Sequence, residues 1–314
     1  MSFLAKIAVE LQQAVARRAK DAASAPLLSR TLARGEGWSV DDLLCTAGRH
    51  DRPFEEQHSS VSIAIVLAGT FQYRAATVHS LSGQLMTPGS LLLGNPGQSF
   101  ECSHSHGEGD RCLSFHFSPD YFDSIAADLG LRRGERSFPI ARLPLLRELS
   151  PVVAGASAAV ALSSKSRRAA ERNIGWEELG VHLAALAVRT AHSSADRRPA
   201  RIPGAVARVT RVVRALEENP GLDPSIRRLA QDAGLSPYHF LRTFEQLVGV
   251  TPHRYIRRTR LRRAAAELLA ERKSVLDVVM DCGFGDVSNF NRAFRCEFGV
   301  SPRQFRLQGV RIVA

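Results

Sequence analysis

One stretch of the chain is written twice, and any fold it adopts must accommodate both copies. Phe240, Arg242, Phe244, Gly249, Val250 and Pro252 recur 50 positions later as Phe290, Arg292, Phe294, Gly299, Val300 and Pro302, and Tyr255 is answered by Phe305. Upstream, Ile226 and Leu229 are answered by Leu276 and Val279. The local chemistry of the first copy spells a pair of helices. Asp223-Pro224-Ser225 is a helix start, a capping-type residue and a proline ahead of the apolar Ile226, Leu229 and Ala230. Gly234 breaks that helix, and Ser236-Pro237 opens another, the hydroxyl placed to cap and the proline at the first helical position. Phe240, Phe244 and Leu247 form its inward face, and Gly249 is its stop. In the second copy Ser274 starts a helix carrying Val275, Leu276, Val278 and Val279; Cys282-Gly283-Phe284-Gly285 makes the turn, and Asp286 caps a helix held down by Phe290 and Phe294. Residues 252–269 read as a long connecting helix with Tyr255, Leu261, Ala265 and Leu268 inward and Arg257, Arg258, Arg262 and Arg263 open to solvent.

A helix, a short turn and a second helix form the hairpin with which many proteins enter a DNA groove. Charge agrees with that reading. Residues 201–314 hold 20 Lys/Arg against 11 Asp/Glu, whereas residues 1–200 hold 22 against 20, so +9 of the net +11 lies at the C-terminal end. A basic unit on a nearly neutral one points to a polyanion, nucleic acid or an anionic membrane surface. Two hairpins on a rigid connector select nucleic acid. Residues 220–306 resemble the DNA-binding domain of AraC/XylS-family regulators. The likeness runs from Val275 through Gly283-Phe284-Gly285-Asp286-Val287-Ser288-Asn289-Phe290, Ala293 and Phe294 to Gly299-Val300-Ser301-Pro302 and Arg306. Where family members commonly carry Ile-Ala before the turn, this chain has Val279-Met280.

On each recognition helix the face opposite the phenylalanines is free to meet bases. Candidate DNA-binding residues are Tyr238, His239, Arg242 and Thr243 in the first unit and Val287, Ser288, Asn289, Arg292 and Arg295 in the second. Arginine pairs with guanine and asparagine with adenine in the major groove, each good pair giving about 1–3 kcal/mol of discrimination. Arg242 and Arg292 are the strongest candidates for base contact, with a phosphate contact the alternative for each. The resemblance supports the same positions, with Tyr238, Ser288 and Asn289. Two such helices on one chain suit successive major-groove segments roughly 34 Å apart on double-stranded DNA, and Arg257, Arg258, Arg262, Arg263 and Arg303 are expected to add salt-sensitive affinity.

The front of the chain reads differently. Residues 2–20 place Leu4, Ile7, Ala8, Leu11, Ala14 and Val15 at helical spacing, and 1–37 reads as this amphipathic helix with its lead-in. Residues 38–191 are expected to form a sensor and dimerisation domain. Short apolar runs there, such as Ser62 to Leu67 and Leu91 to Leu93, alternate with turns at Gly69-Thr70 and Gly94-Asn95-Pro96-Gly97, the pattern of a small antiparallel sandwich or barrel. The stretches Val66 to Tyr73 and Thr87 to Leu93 resemble the sensor half of cupin-like regulators. The fold class expected is therefore α+β, an N-terminal cupin-like antiparallel β-barrel with flanking helices and a C-terminal all-α domain, residues 204–314, with two helix-turn-helix units. In the segment from Ile174 to Thr190, Leu179, His182, Leu183, Leu186 and Ala187 share a face that reads as core or as a homodimer seam. Residues 192–203, polar with Pro199 and Pro203, read as the linker.

Cys102, His104, His106, Glu108, Asp110 and Cys112 crowd into eleven residues. Three readings stand open: a polar loop with no ligand, a transition metal such as zinc held by some of Cys102, His104, His106 and Cys112, or a redox switch through Cys102 and Cys112. His-x-His on a strand would put both rings on one face. Glu55, Glu56 and His58 fall where the cupin likeness would put ligands, but their spacing does not reproduce the usual cupin metal motif, and Ser99-Phe100 stands where a second-motif histidine is expected. A small organic effector in the barrel interior is what the family resemblance implies, together with RNA polymerase contact if the protein is an activator. Five cysteines, an odd number, suit reduced thiols, and no apolar run approaches the roughly 18 residues of a membrane span, so a cytoplasmic protein with no membrane partner is expected. The reading is a non-enzymatic, sequence-specific transcription regulator. Two other function classes are a metal-dependent cupin-type enzyme fused to a nucleic-acid-binding domain, which would leave the tandem hairpins without a role, and an architectural binder, which would show little sequence preference.

Overall fold

The computed structural model describes residues 3–20, 26–75, 83–132, 135–163, 173–194, 204–219, 225–270 and 273–312. Helix α1 (Phe3–Arg18) comes first. Strands β1 (Leu27–Gly35), β2 (Trp38–Cys45), β3 (Phe54–Gln57), β4 (Val61–Gly69), β5 (Phe71–Ala75), β6 (Gln84–Met86), β7 (Leu91–Gly94), β8 (Ser99–Ser103) and β9 (Asp110–Phe117) follow. Helix α2 (Pro119–Asp128), the short β10 (Arg142–Leu143), α3 (Ser150–Ser163) and α4 (Asn173–Ser193) complete the front unit.

All pairings are antiparallel, in two sheets ordered β1-β2-β9-β4-β7-β10 and β3-β8-β5-β6. The α+β class stands, but the barrel does not close: among the described residues the two sheets share no strand, so they form a face-to-face sandwich. The sheet also begins earlier than expected. Residues 27–35, read from sequence as lead-in, pair with β2 across eight registered positions, because the turn at Gly37 folds them back on Trp38 to Cys45.

The unbroken apolar run of β4 has a physical cause. One face of the larger sheet, with Ile63, Ile65, Leu113 and Phe115, packs on α1, α3 and α4. Its other face, with Ala64, Val66, Leu92 and Cys112, packs on Phe71, Tyr73, Met86 and Cys102 of the smaller sheet. A strand covered on both sides has no solvent face to make polar, and full burial of each large side chain contributes about 1.5–3 kcal/mol. Of the α4 stripe, Leu179, Leu183 and Ala187 are buried against this sheet together with Ala184 and Val188, while His182 is exposed and Leu186 half-buried. No described helix is long and apolar enough to cross a membrane.

The C-terminal unit comprises α5 (Ala205–Glu218), α6 (Ile226–Asp232), α7 (Pro237–Val248), α8 (Pro252–Ala270), α9 (Val275–Asp281), α10 (Val287–Phe298) and α11 (Pro302–Ile312). Most of the expected linker, residues 195–203, and the Asp223-Pro224 start lie outside the described residues. Ser225, Ser236, Ser274 and Asp286 all cap their helices through the side chain. Gly249 and Gly299 end α7 and α10 in the left-handed conformation, φ 86° and 79°, where a Cβ is strained.

The duplication has an offset of 49, not 50, through its first helix. Ser225 and Ser274 are equivalent caps, and the bonds Leu235 N–H to Ala230 O and Phe284 N–H to Val279 O are equivalent closures. Leu229 therefore answers to Val278 and Ala230 to Val279, all four buried, while Leu276 points to solvent. Gly285 is one extra turn residue before the Asp286 cap, and it restores the offset of 50 that the phenylalanines carry.

The two units are in contact. Arg142 of β10 donates to the Leu247 and Val248 carbonyls at the end of α7, at 3.1 and 2.6 Å. Ser150 of α3 donates to the Glu297 carboxylate of α10 at 2.6 Å, and Arg258 of α8 pairs with the same carboxylate at 3.2 Å. Arg258 also donates to Leu145 O and Arg262 to Pro88 O. A Cβ at Gly89 would collide with the Arg262 guanidinium, so glycine there permits the close approach.

Candidate nucleic-acid interface and sensor cavity

Each recognition helix is pinned by rings and leaves one face bare. On α7, Phe240 and Phe244 are fully buried, and Phe244 meets Tyr255 edge-on; on α10, Phe290 and Phe294 do the same, with Phe284, Phe298 and Phe305 around them. The bare face of α7 carries Tyr238, 65% exposed, with His239 and Arg242. The Arg242 guanidinium lies 5.9 Å from the centre of the Tyr238 ring, and His239 shares a hydrogen bond with Ser236 at 3.0 Å. On α10 Val287, Ser288, Asn289, Arg292 and Arg295 are all exposed. Asn289 Oδ1 accepts from Arg292 at 3.3 Å, which steadies the guanidinium along the helix. Ser288, Asn291, Arg292, Arg295 and Arg303 are among the residues that line an open cleft of about 640 Å³.

Two expectations about this surface need correction. Thr243 is buried, 7% exposed, because it follows Phe240 by three residues and so turns inward with Phe244; it is not available to a base. Of the four connector arginines, Arg257 is exposed, but Arg258 is largely covered and Arg262 and Arg263 are buried. Through its second half, Leu261 to Leu268, helix α8 has no exposed residue, and α3 and α1 of the front unit pack against this helix. Its arginines instead converge on acceptors of both units. Glu217 at the end of α5 accepts from Tyr255 and Thr259, pairs with Arg262 at 3.7 Å, and its carbonyl accepts from Arg263. Arg142 is buried, which lowers its pKa to about 10 and leaves it charged near neutrality.

Between the two sheets lies a cavity of about 210 Å³. Its apolar lining comes from Phe54, Phe71, Leu92 and Phe100, and its polar lining includes His58, His104, Asp110 and His116. Burial lowers the pKa of His58 to about 4; the ring stacks on Phe100 and shares a hydrogen bond with the Tyr73 hydroxyl at 2.8 Å. Burial opposes charge on His104 as well, but the Asp110 carboxylate at 2.6 Å, with Cys45 beside it, lifts that pKa to about 9. Glu55 and Glu56 are exposed.

The Cys/His segment does not assemble as its spacing suggests. Strand β8 ends at Ser103, and His104 to His106 form a turn closed by Gly107 N–H to His104 O, so His104 is buried and His106 faces solvent. The two-residue alternation that would align the rings does not apply outside a strand. Cys102 and Cys112 both line the cavity, and burial pushes both thiols well up, away from the reactive thiolate that a redox switch needs. The residue missed from sequence is Cys45, far away in the chain but opposite Asp110 in the β2/β9 register. Strand pairing supplies that proximity, and nothing in the spacing signals it.

Comparison with known proteins follows this division. The AraC-like ligand binding domain pattern matches residues 43–179, and the helix-turn-helix domain pattern matches residues 229–308. The HTH-type transcriptional regulator Rv1931c of Mycobacterium tuberculosis is 40% identical over 81 residues, 26% of this chain and 31% of its own length. The HTH-type transcriptional activator RhaS of Klebsiella pneumoniae is 36% identical over 100 residues, 32% of this chain and 36% of its own. The probable transcription factor PqrA of Proteus vulgaris is 34% identical over 94 residues, 30% of this chain and 75% of its own. The match thus spans about a third of the length of the first two relatives, while it takes in most of the third.

Proposed function

This chain belongs to the AraC family of transcriptional regulators, and we propose that it is a sequence-specific, double-stranded-DNA-binding regulator whose front unit senses a small organic molecule. The observation that carries the reading is the pair of bare recognition faces, Tyr238, His239 and Arg242 on α7 and Ser288, Asn289, Arg292 and Arg295 on α10, each pinned from behind by buried phenylalanines. Arg242 and Arg292 occupy equivalent positions of the duplication, and each projects from a helix whose N-terminus is free to enter a major groove. Phosphate contact falls to Arg257 and Arg303, which are exposed. An effector with an apolar or aromatic body suits the sheet-to-sheet cavity, with His58 and His116 available to its polar group. A homodimer would set two such double readers on repeated half-sites. The relatives named above include an activator, which makes RNA polymerase the further partner to test.

Selection of bound duplexes from random DNA tests this directly. A motif with two separated information-rich blocks is expected, one lost in Arg242→Ala and the other in Arg292→Ala. Recovery of no motif, or equal weakening of both variants on every sequence, would sink the specific-regulator reading in favour of an architectural binder.

A further inference from the structure

We propose a site for a borderline-soft divalent ion of the zinc class, held by Cys45 Sγ, His104 and Asp110 at the edge of the sheet-to-sheet cavity. Among the described residues these three form a group of metal-ligating side chains whose donor atoms all lie within 4.8 Å of one another, and all three residues are buried. Thiolate, imidazole and carboxylate together are a zinc donor set, at metal bonds of about 2.0–2.3 Å. Tetrahedral bonds of that length place donor atoms about 3.3–3.8 Å apart, so the trio needs only small adjustments. The His104–Asp110 contact at 2.6 Å must open, an ion replacing the shared proton and separating the pair by about 0.7 Å.

The scaffold is already built. Cys45 at the end of β2 and Asp110 at the start of β9 face each other directly in the register of the larger sheet. His104 follows β8 of the smaller sheet. An ion there would tie together two sheets that share no strand. The second carboxylate oxygen of Asp110 accepts from the Cys112 thiol at 3.2 Å, which orients the group from behind. All three ligands line the cavity, so the fourth coordination position opens onto it, as in zinc sites that keep one position for water or a ligand. This set differs from the sequence-based one: His106 faces solvent, and neither Cys102 nor Cys112 belongs to the trio. The site shares the effector cavity but does not depend on DNA reading, because metal binding is measured on the full chain alone.

The test uses the full chain stripped with a chelator and titrated with Zn²⁺ and with Co²⁺. One equivalent per chain is expected, and the cobalt form should show thiolate-to-cobalt charge-transfer absorption with the intense visible bands of tetrahedral coordination. Cys45→Ser should remove the charge-transfer band, and His104→Gln should weaken zinc binding at least tenfold. Cys102→Ser and His106→Gln should keep both stoichiometry and spectrum. Failure to bind one equivalent, or a cobalt form without a thiolate band, overturns the site whatever the variants do. So does a Cys45→Ser protein that binds like the parent, or a loss of the ion on Cys102→Ser or His106→Gln with secondary structure intact by circular dichroism.

Discussion

The hydrogen bond from Ser150 to Glu297 joins the front unit to a recognition helix, and its strength is open to measurement by a double-mutant cycle. The donor and acceptor are 2.6 Å apart, and both side chains are almost completely buried, so screening by solvent is small. A hydrogen bond to a charged group contributes about 1.5–3 kcal/mol. Arg258 holds the same carboxylate at 3.2 Å and keeps it partly satisfied when the serine is gone, which places the coupling near the middle of that range, about 2 kcal/mol. Ser150→Ala alone should cost about 2 kcal/mol. Glu297→Ala should cost about 3–5 kcal/mol, because Arg258 is then left in the seam without its carboxylate. The double variant should be less destabilised than the sum of the singles by about 2 kcal/mol. Urea denaturation of the four proteins, followed by circular dichroism together with hydrogen exchange of the α10 amides, measures each value. If the two substitutions add to within about 0.5 kcal/mol, the contact is not made in solution and the seam between sensor and recognition helix is not the one described.

The buried and exposed arginines of α8 should separate in binding. Arg257→Ala should lower the salt slope of DNA binding by about 1, whereas Arg262→Ala should leave the slope unchanged and lower thermal stability instead; a change of slope with Arg262→Ala would restore it as a phosphate contact. Asp286→Ala removes the cap that accepts from Ser288 and Asn289 N–H, and should cost about 1 kcal/mol with frayed exchange in the first turn of α10. Phe294→Ala empties a fully buried ring site and should cost about 3–5 kcal/mol in denaturation, the same range as Phe244→Ala in the other unit. His58 is held neutral, its pKa lowered from an ordinary 6.5 to about 4, so its favourable contribution is present above pH 6.5 and is lost as pH falls towards 4. The loss amounts to about 3 kcal/mol at most, and melting curves of His58→Phe should lack this acid-side decline.

Much of the C-terminal unit was legible because its signals are local. A serine or aspartate caps a helix through atoms two or three residues away, a glycine ends one through its own backbone, and phenylalanines four residues apart share a face. Those rules placed α7, α10 and their outward residues without any knowledge of the rest of the chain. They failed by one residue at Leu276, because a single inserted turn glycine, Gly285, is invisible to a repeat counted on the phenylalanines alone. They failed again at Thr243, because the inward face of α7 was read as Phe240, Phe244 and Leu247, whereas helical geometry turns the 240, 243, 244 and 248 stripe inward and leaves Leu247 half-buried.

The sequence by itself determined that two helix-turn-helix units stand on a basic domain, that an antiparallel β unit precedes them, and which arginines of the recognition helices face outward. All of that follows from periodicity and capping, which act within a turn or two of chain. Only the tertiary structure decided that Arg258 and Arg262 serve the seam between units while Arg263 turns in to Glu217, that the two sheets stay an open sandwich, and that Cys45 lies beside His104 and Asp110. Those outcomes depend on strand register and on which helix covers which face. Both are set by the burial of surfaces that meet only after residues 59 to 174 positions apart have been brought together.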